Sequence, residues 1–87
     1  MVKISFDKAK NERNIALRGL SFNMAADLDW ESDNIFEDVR NAYGEPRFIA
    51  YGYINSRMHV IVYTLRASSI RVISLRKANR REVAKYG

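Results

Sequence analysis

The chain has 87 residues, 47% apolar and 29% charged, with fifteen basic and ten acidic groups and no cysteine. That length allows one small domain, residues 1–87, with a thin core, because a chain this short buries only about 60–65% of its unfolded surface. The absence of cysteine excludes disulfide and thiolate chemistry. No apolar run approaches the ~20 residues of a membrane span, and no signal peptide opens the chain; a cytoplasmic protein is expected.

The net charge of +5 is unevenly placed. Residues 66–87 carry seven basic groups and one acidic group, a net +6, whereas residues 1–65 carry eight basic and nine acidic groups, a net −1. Asymmetry of this kind points to a polyanion, nucleic acid first, against the plainer reading of a solvated basic helix.

In chain order, Val2–Phe6 alternates apolar and polar side chains and predicts a short edge strand. Asp7 suits an N-cap, and Lys8–Arg18 contains no helix breaker, although its apolar stripe of Ala9, Ala16 and Leu17 is weak. Gly19 fits the left-handed position that ends many helices. Ser21 is a second N-cap candidate, and Phe22, Ala25 and Ala26 give the next short helix a narrow apolar side. Asp27–Asp38 is acidic, with Trp30 inside it; its scattered carboxylates define no site, and a core-packed Trp30 is the expectation. Ile35–Arg40 reads as a strand, and Tyr43-Gly44-Glu45-Pro46 as a turn. Arg47–Ile54 and Met58–Leu65 are strands joined by Asn55-Ser56-Arg57. Met58–Leu65 is apolar on both parities, as a central strand covered on both faces should be. Arg66–Ser69 is a second tight connection, Ser69 onward is a strand, and Ala78–Tyr86 is rich in helix formers. The order predicts an α+β domain: a short N-terminal strand, two helices, an antiparallel sheet of three to four further strands, and a C-terminal helix.

Metal chemistry lacks ligands, since His59 is the one histidine and the carboxylates show no recognisable spacing. No cofactor is expected. His59, mid-strand among apolar residues, reads as a packing residue. What remains is arginine density: Arg66, Arg71, Arg76 and Arg81. If the last helix begins by Arg76, the pairs Arg76/Arg80 and Arg81/Lys85 each share a helical face. Guanidinium groups bind phosphate through paired donors, and Tyr51, Tyr53, Tyr63 and Tyr86 are candidates to stack bases. Such parts suffice to cleave RNA without metal: the 2′-hydroxyl is a nucleophile already in the substrate, arginines stabilise the developing charge, and a weak acid or base moves the protons.

The opening FDKAKNERNIALRGLSF resembles the start of the BrnT toxins, FDxxKxxxNxxKHGxSF, through Phe6, Asp7, Lys10, Asn14, Gly19, Ser21 and Phe22. Ala25, Ala26, Asp29-Trp30, YGEPR at 43–47 and VYTLR at 62–66 continue the match, and IRVISLRKANRREVAKY at 70–86 is similar to the family's IRIISARKATRRExxxY. Leu17-Arg18 stands where the family reads Lys-His. The resemblance implies a RelE-like fold and an endoribonuclease toxin of a bacterial type II toxin–antitoxin pair that inhibits translation. It implies a BrnA-type ribbon-helix-helix antitoxin, a hetero-oligomer expected to be a heterotetramer, and operator DNA contacted only through that antitoxin. It places catalysis on Arg66, Arg71, Arg76, Arg81 and Tyr86; RNA contacts are expected from Lys10, Arg18, Lys77, Arg80 and Lys85. The alternative is a non-catalytic basic module that binds RNA or a protein partner.

Overall fold

The computed structural model describes residues 3–30, 34–39 and 44–87. Five strands form one sheet in the order β1-β5-β4-β3-β2, with β1 at Ile4–Phe6, β2 at Ile35–Asp38, β3 at Arg47–Ile54, β4 at Arg57–Arg66 and β5 at Ser69–Lys77. Helix α1 spans Lys8–Arg18, a 3-10 segment spans Phe22–Asp27, and α2 spans Arg80–Tyr86. The expected α+β class is observed, with two differences. The sheet is mixed, because β1 runs parallel to β5, Ile4 beside Ile70 and Phe6 beside Val72. The second helix is a 3-10 segment of six residues, Phe22–Asp27.

Local sequence accounts for the element ends. Asp7 caps α1 by accepting from the Lys10 amide at 3.0 Å. Gly19 closes the helix at φ 69°, its amide donating to the Ile15 carbonyl at 2.8 Å; a side chain there would be strained. Ser21 caps the 3-10 segment through the Asn23 amide. The β3–β4 hairpin turns on Asn55 and Ser56, both at positive φ, as the primed two-residue turns require. Strand β2 ends at Asp38, short of the expected Arg40; Val2, Arg40 and Tyr43 lie outside the described residues.

β4 is covered on both faces, as its double apolar parity predicts. On one face Ile61 and Tyr63 join Phe22, Leu28, Val72 and Leu75 in the main core. Gly52 lets Leu28 seat there, since a Cβ at Gly52 would stand 3.1 Å from the Leu28 side chain. On the other face Met58 and Val60 meet Ala78, with Ile49, Tyr51 and Tyr86 against them. Trp30 packs edge-on to Tyr63 and donates its indole N–H to the Ala25 carbonyl at 2.9 Å.

The expected apolar stripe of α1 is not its buried side. Leu17 is 75% exposed, and the one buried residue of the helix is Asn14. Its amide donates to the Leu20 carbonyl at 2.9 Å and the Leu75 carbonyl at 3.0 Å. β1 pairs only with residues 70–72 of β5, so α1 takes over as the neighbour of the β5 edge beyond that point. A polar hook satisfies that free edge, where an apolar helix face would leave its carbonyls unpaired.

Candidate nucleic-acid interface

Strand parity decides which cations share a surface. Arg76 lies opposite Val60 and Arg71 opposite Thr64, so both stand on the sheet face that α2 partly covers. Arg66 and Arg47 have the same parity and belong to that face. Lys77 lies opposite His59 and faces the other way. The expected group Arg66, Arg71 and Arg76 is therefore a row on one surface. The row is long: Arg66 and the position of Arg76 are six residues apart along β4, or ~20 Å at the rise of a strand. Such a spacing suits a chain of phosphates better than a single one.

Arg76 belongs to β5, and α2 begins only at Arg80 behind the Asn79 cap. Arg76 and Arg80 thus do not share a helical face, because Ala78 and Asn79 are extended residues between strand and helix. Arg81 and Lys85 do share one flank of α2, four residues apart and both exposed. Arg80 is exposed on the same helix. Lys10 and Arg18 lie on α1 beside the β5 edge, away from the row; Arg18 donates to the Leu75 carbonyl at 3.4 Å.

Two of the arginines already hold carboxylates. Arg66 makes a paired contact with Glu45, both distances 3.2 Å, in an exposed setting. Arg76 makes a tighter one with Glu82, both distances 2.7 Å. The Arg76 hydrogen bonds hold the Glu82 carboxyl down to about 2, and the same bonds raise the Arg76 guanidinium further above its ordinary value. Glu82 is ionised at neutral pH and a poor base. It orients Arg76, and it was not among the expected site residues; the S/T/D/N-x-x-E spacing of Asn79 and Glu82 marks it as a helix-capping residue only.

Tyr86 stacks on Tyr51 with ring centres 4.0 Å apart and an interplanar angle of 21°. Phe36 leans on both rings. Burial, then the neighbouring Tyr86, pushes the Tyr51 hydroxyl up, so Tyr51 keeps its proton at neutral pH and has the character of an acid. Tyr51 joins the candidate site through its β3 parity, which the sequence contains but which needed the register to be placed beside Tyr86. Tyr63, expected as a base-stacking candidate, is buried in the main core, stacked on Phe48 at 5.5 Å. His59 is also buried; its Nδ1 lies 2.8 Å from the Arg57 carbonyl. Among the described residues no group of three or more His, Cys, Asp or Glu side chains is placed to hold a metal, and no helix is long and apolar enough to cross a membrane.

The chain is a small basic α+β domain with an arginine row along one sheet face that ends at a tyrosine pair. The model of the family "Ribonuclease toxin, BrnT, of type II toxin-antitoxin system" matches residues 6–82. The chain belongs to that family, whose members are ribonuclease toxins of type II toxin–antitoxin systems. The matched span stops short of Lys85 and Tyr86. The crystal structure of the Brucella abortus ribonuclease toxin BrnT is similar to this chain at 30% identity and a TM-score of 0.65, covering 92% of this chain and all of that one. No curated protein sequence matches the chain.

Proposed function

We propose that this chain is the toxin of a type II pair: an endoribonuclease that cuts RNA without a metal ion, inhibits translation in the cytoplasm and is neutralised by a BrnA-type ribbon-helix-helix antitoxin. The observation that carries the reading is the arginine row leading to the Tyr51–Tyr86 stack on one face. RNA lies along Arg66, Arg71 and Arg76, with Arg81 and Lys85 on the α2 flank and Lys10, Arg18, Lys77 and Arg80 as outer cations.

The chemistry follows from the substrate. The 2′-hydroxyl gives its proton to a solvent water as its oxygen attacks the adjacent phosphorus, a new P–O2′ bond forms, and the P–O5′ bond breaks. The products are a cyclic 2′,3′-phosphate and a 5′-hydroxyl. Arg71 and Arg76 stabilise the negative charge that gathers on the phosphoryl oxygens. A tyrosine hydroxyl from the Tyr51–Tyr86 pair delivers a proton to the leaving O5′, a role suited to a hydroxyl that holds its proton. Glu82 neutralises Arg76 until an RNA phosphate takes its place.

One observation favours the rival reading of binding without cleavage: Arg66 and Arg76 are both already neutralised by carboxylates. The deciding experiment is RNA cleavage by the purified wild type and an Arg71→Gln/Arg76→Gln double variant. The cleavage reading expects products from the wild type and a loss of about 10²-fold or more in the variant. Tight RNA binding by the wild type with no product establishes the rival.

A further inference from the structure

A groove of about 290 Å³ lies between α1 and β5, at the small end of the ~300–1,000 Å³ range of ligand pockets. Lys10, Arg13 and Arg18 stand around it, Ser74 adds a hydroxyl, Leu17 and Ile73 supply an apolar wall, and among the described residues no carboxylate lines it. The register slip of β5 against β4, between Val62 and Tyr63, leaves Ile73 as an extra residue. A bulge of this kind breaks the alternation of the strand, so Ile73 and the adjacent Ser74 both line the groove. Lys10 and Arg13 lie three apart on one helical face, where like charges repel. Asp7, at the helix start, accepts from the Lys10 amide and is held below its ordinary value chiefly by that bond, with the Lys10 charge a lesser cause. Arg18 gives one N–H to the Leu75 carbonyl.

Three cations beside a hydroxyl and a narrow apolar wall have the chemistry of a site for one phosphate and its sugar. The β5 strand that forms one side of the groove also carries Arg71 and Arg76, and Ser74, opposite Val62, shares their sheet face. We infer that the α1–β5 groove is a second phosphate subsite of the RNA strand. The strand passes from the arginine row round the β5 edge; Lys10, Arg13 and Arg18 hold one phosphate, Ser74 donates to it, and Leu17 and Ile73 take the sugar or base. This inference rests on the RNA reading above and adds Arg13, Ser74 and a path for the strand.

The probe is a short 2′-O-methyl RNA, which cannot be cut by 2′-hydroxyl attack. Its binding is followed by fluorescence anisotropy across a salt series for the wild type, Lys10→Gln/Arg13→Gln and Arg71→Gln. Lys10 and Arg13 are exposed, and thermal melts establish that the variant folds. The subsite predicts about tenfold weaker binding in Lys10→Gln/Arg13→Gln. It also predicts a log–log salt slope shallower by about 0.7, the share of one phosphate on a single strand. Unchanged affinity and slope, with Arg71→Gln weakened, overturn the subsite and leave the RNA reading standing. A wild type that does not bind the probe overturns both. A double variant that loses antitoxin affinity but not RNA affinity also overturns it, and makes the groove a partner contact.

Discussion

The Arg76 guanidinium and the Glu82 carboxylate meet fork to fork, Nη1 to Oε1 and Nη2 to Oε2 both at 2.7 Å. The same carboxylate accepts the Asn79 amide at 2.9 Å and so closes the capping box of α2. One side chain therefore starts the last helix, ties it to the end of β5 and neutralises a member of the arginine row.

Replacing Glu82 with Gln separates these tasks, because Gln still completes a capping box. Stability should fall by about 1 kcal/mol, the scale of a well-aligned ion pair with partial solvent access. RNA affinity should rise, since Arg76 is freed for phosphate. Urea unfolding and RNA titration of the same preparation check both signs; a variant that is weaker in RNA binding would show that Glu82 prepares Arg76 for RNA and does not mask it.

Acid should erase the difference. The folded Glu82 carboxyl sits at about 2, below its ordinary 4.5, so its stabilisation is present above pH 4.5 and drains away as pH falls towards 2. The stability gap between wild type and Glu82→Gln should be full at neutral pH and close through that window. A gap independent of pH would mean that the ion pair is not its source.

Tyr86 docks α2 through its ring and carries a candidate catalytic hydroxyl. Tyr86→Phe should keep the stack on Tyr51 and most of the stability, while lowering cleavage by about 10²-fold if the hydroxyl moves a proton. Tyr86→Ala should also lose about 1–2 kcal/mol with the aromatic contact. Full cleavage by Tyr86→Phe would leave Tyr51 as the proton donor, a point that Tyr51→Phe then tests.

Asn14 holds α1 to the β5 edge. Its amide makes two buried hydrogen bonds, so Asn14→Ala should cost about 2 kcal/mol in chemical denaturation. A loss within error of zero would mean that α1 is held by its other contacts.

Much of this arrangement was legible in the residues. Asp7, Gly19 and Ser21 marked helix ends correctly because caps act locally. The double apolar parity of β4 marked it as central. The parallel β1–β5 pairing was not legible, since pairing between residues more than sixty apart is decided by the packing of the whole sheet. Nor was the inward side of α1: a single Asn does the holding, and an apolar pattern cannot reveal a polar hook. At the site, arginine density led to the expectation of a polyanion surface, but only the register put Arg71 and Arg76 on one face with Lys77 on the other. The helical pairing of Arg76 with Arg80 failed because Asn79 caps the helix after Arg76.

Metal-free cleavage by attack of the RNA's own 2′-hydroxyl on the arginine-lined face, the activity proposed above, has a direct test. Purified protein is incubated in EDTA with an RNA and with its 2′-O-methyl counterpart, and the product ends are mapped. Cleavage of the RNA alone, leaving cyclic 2′,3′-phosphate and 5′-hydroxyl ends, is the expected result. Activity lost in EDTA and restored by magnesium, or cleavage of the 2′-O-methyl strand, would contradict it.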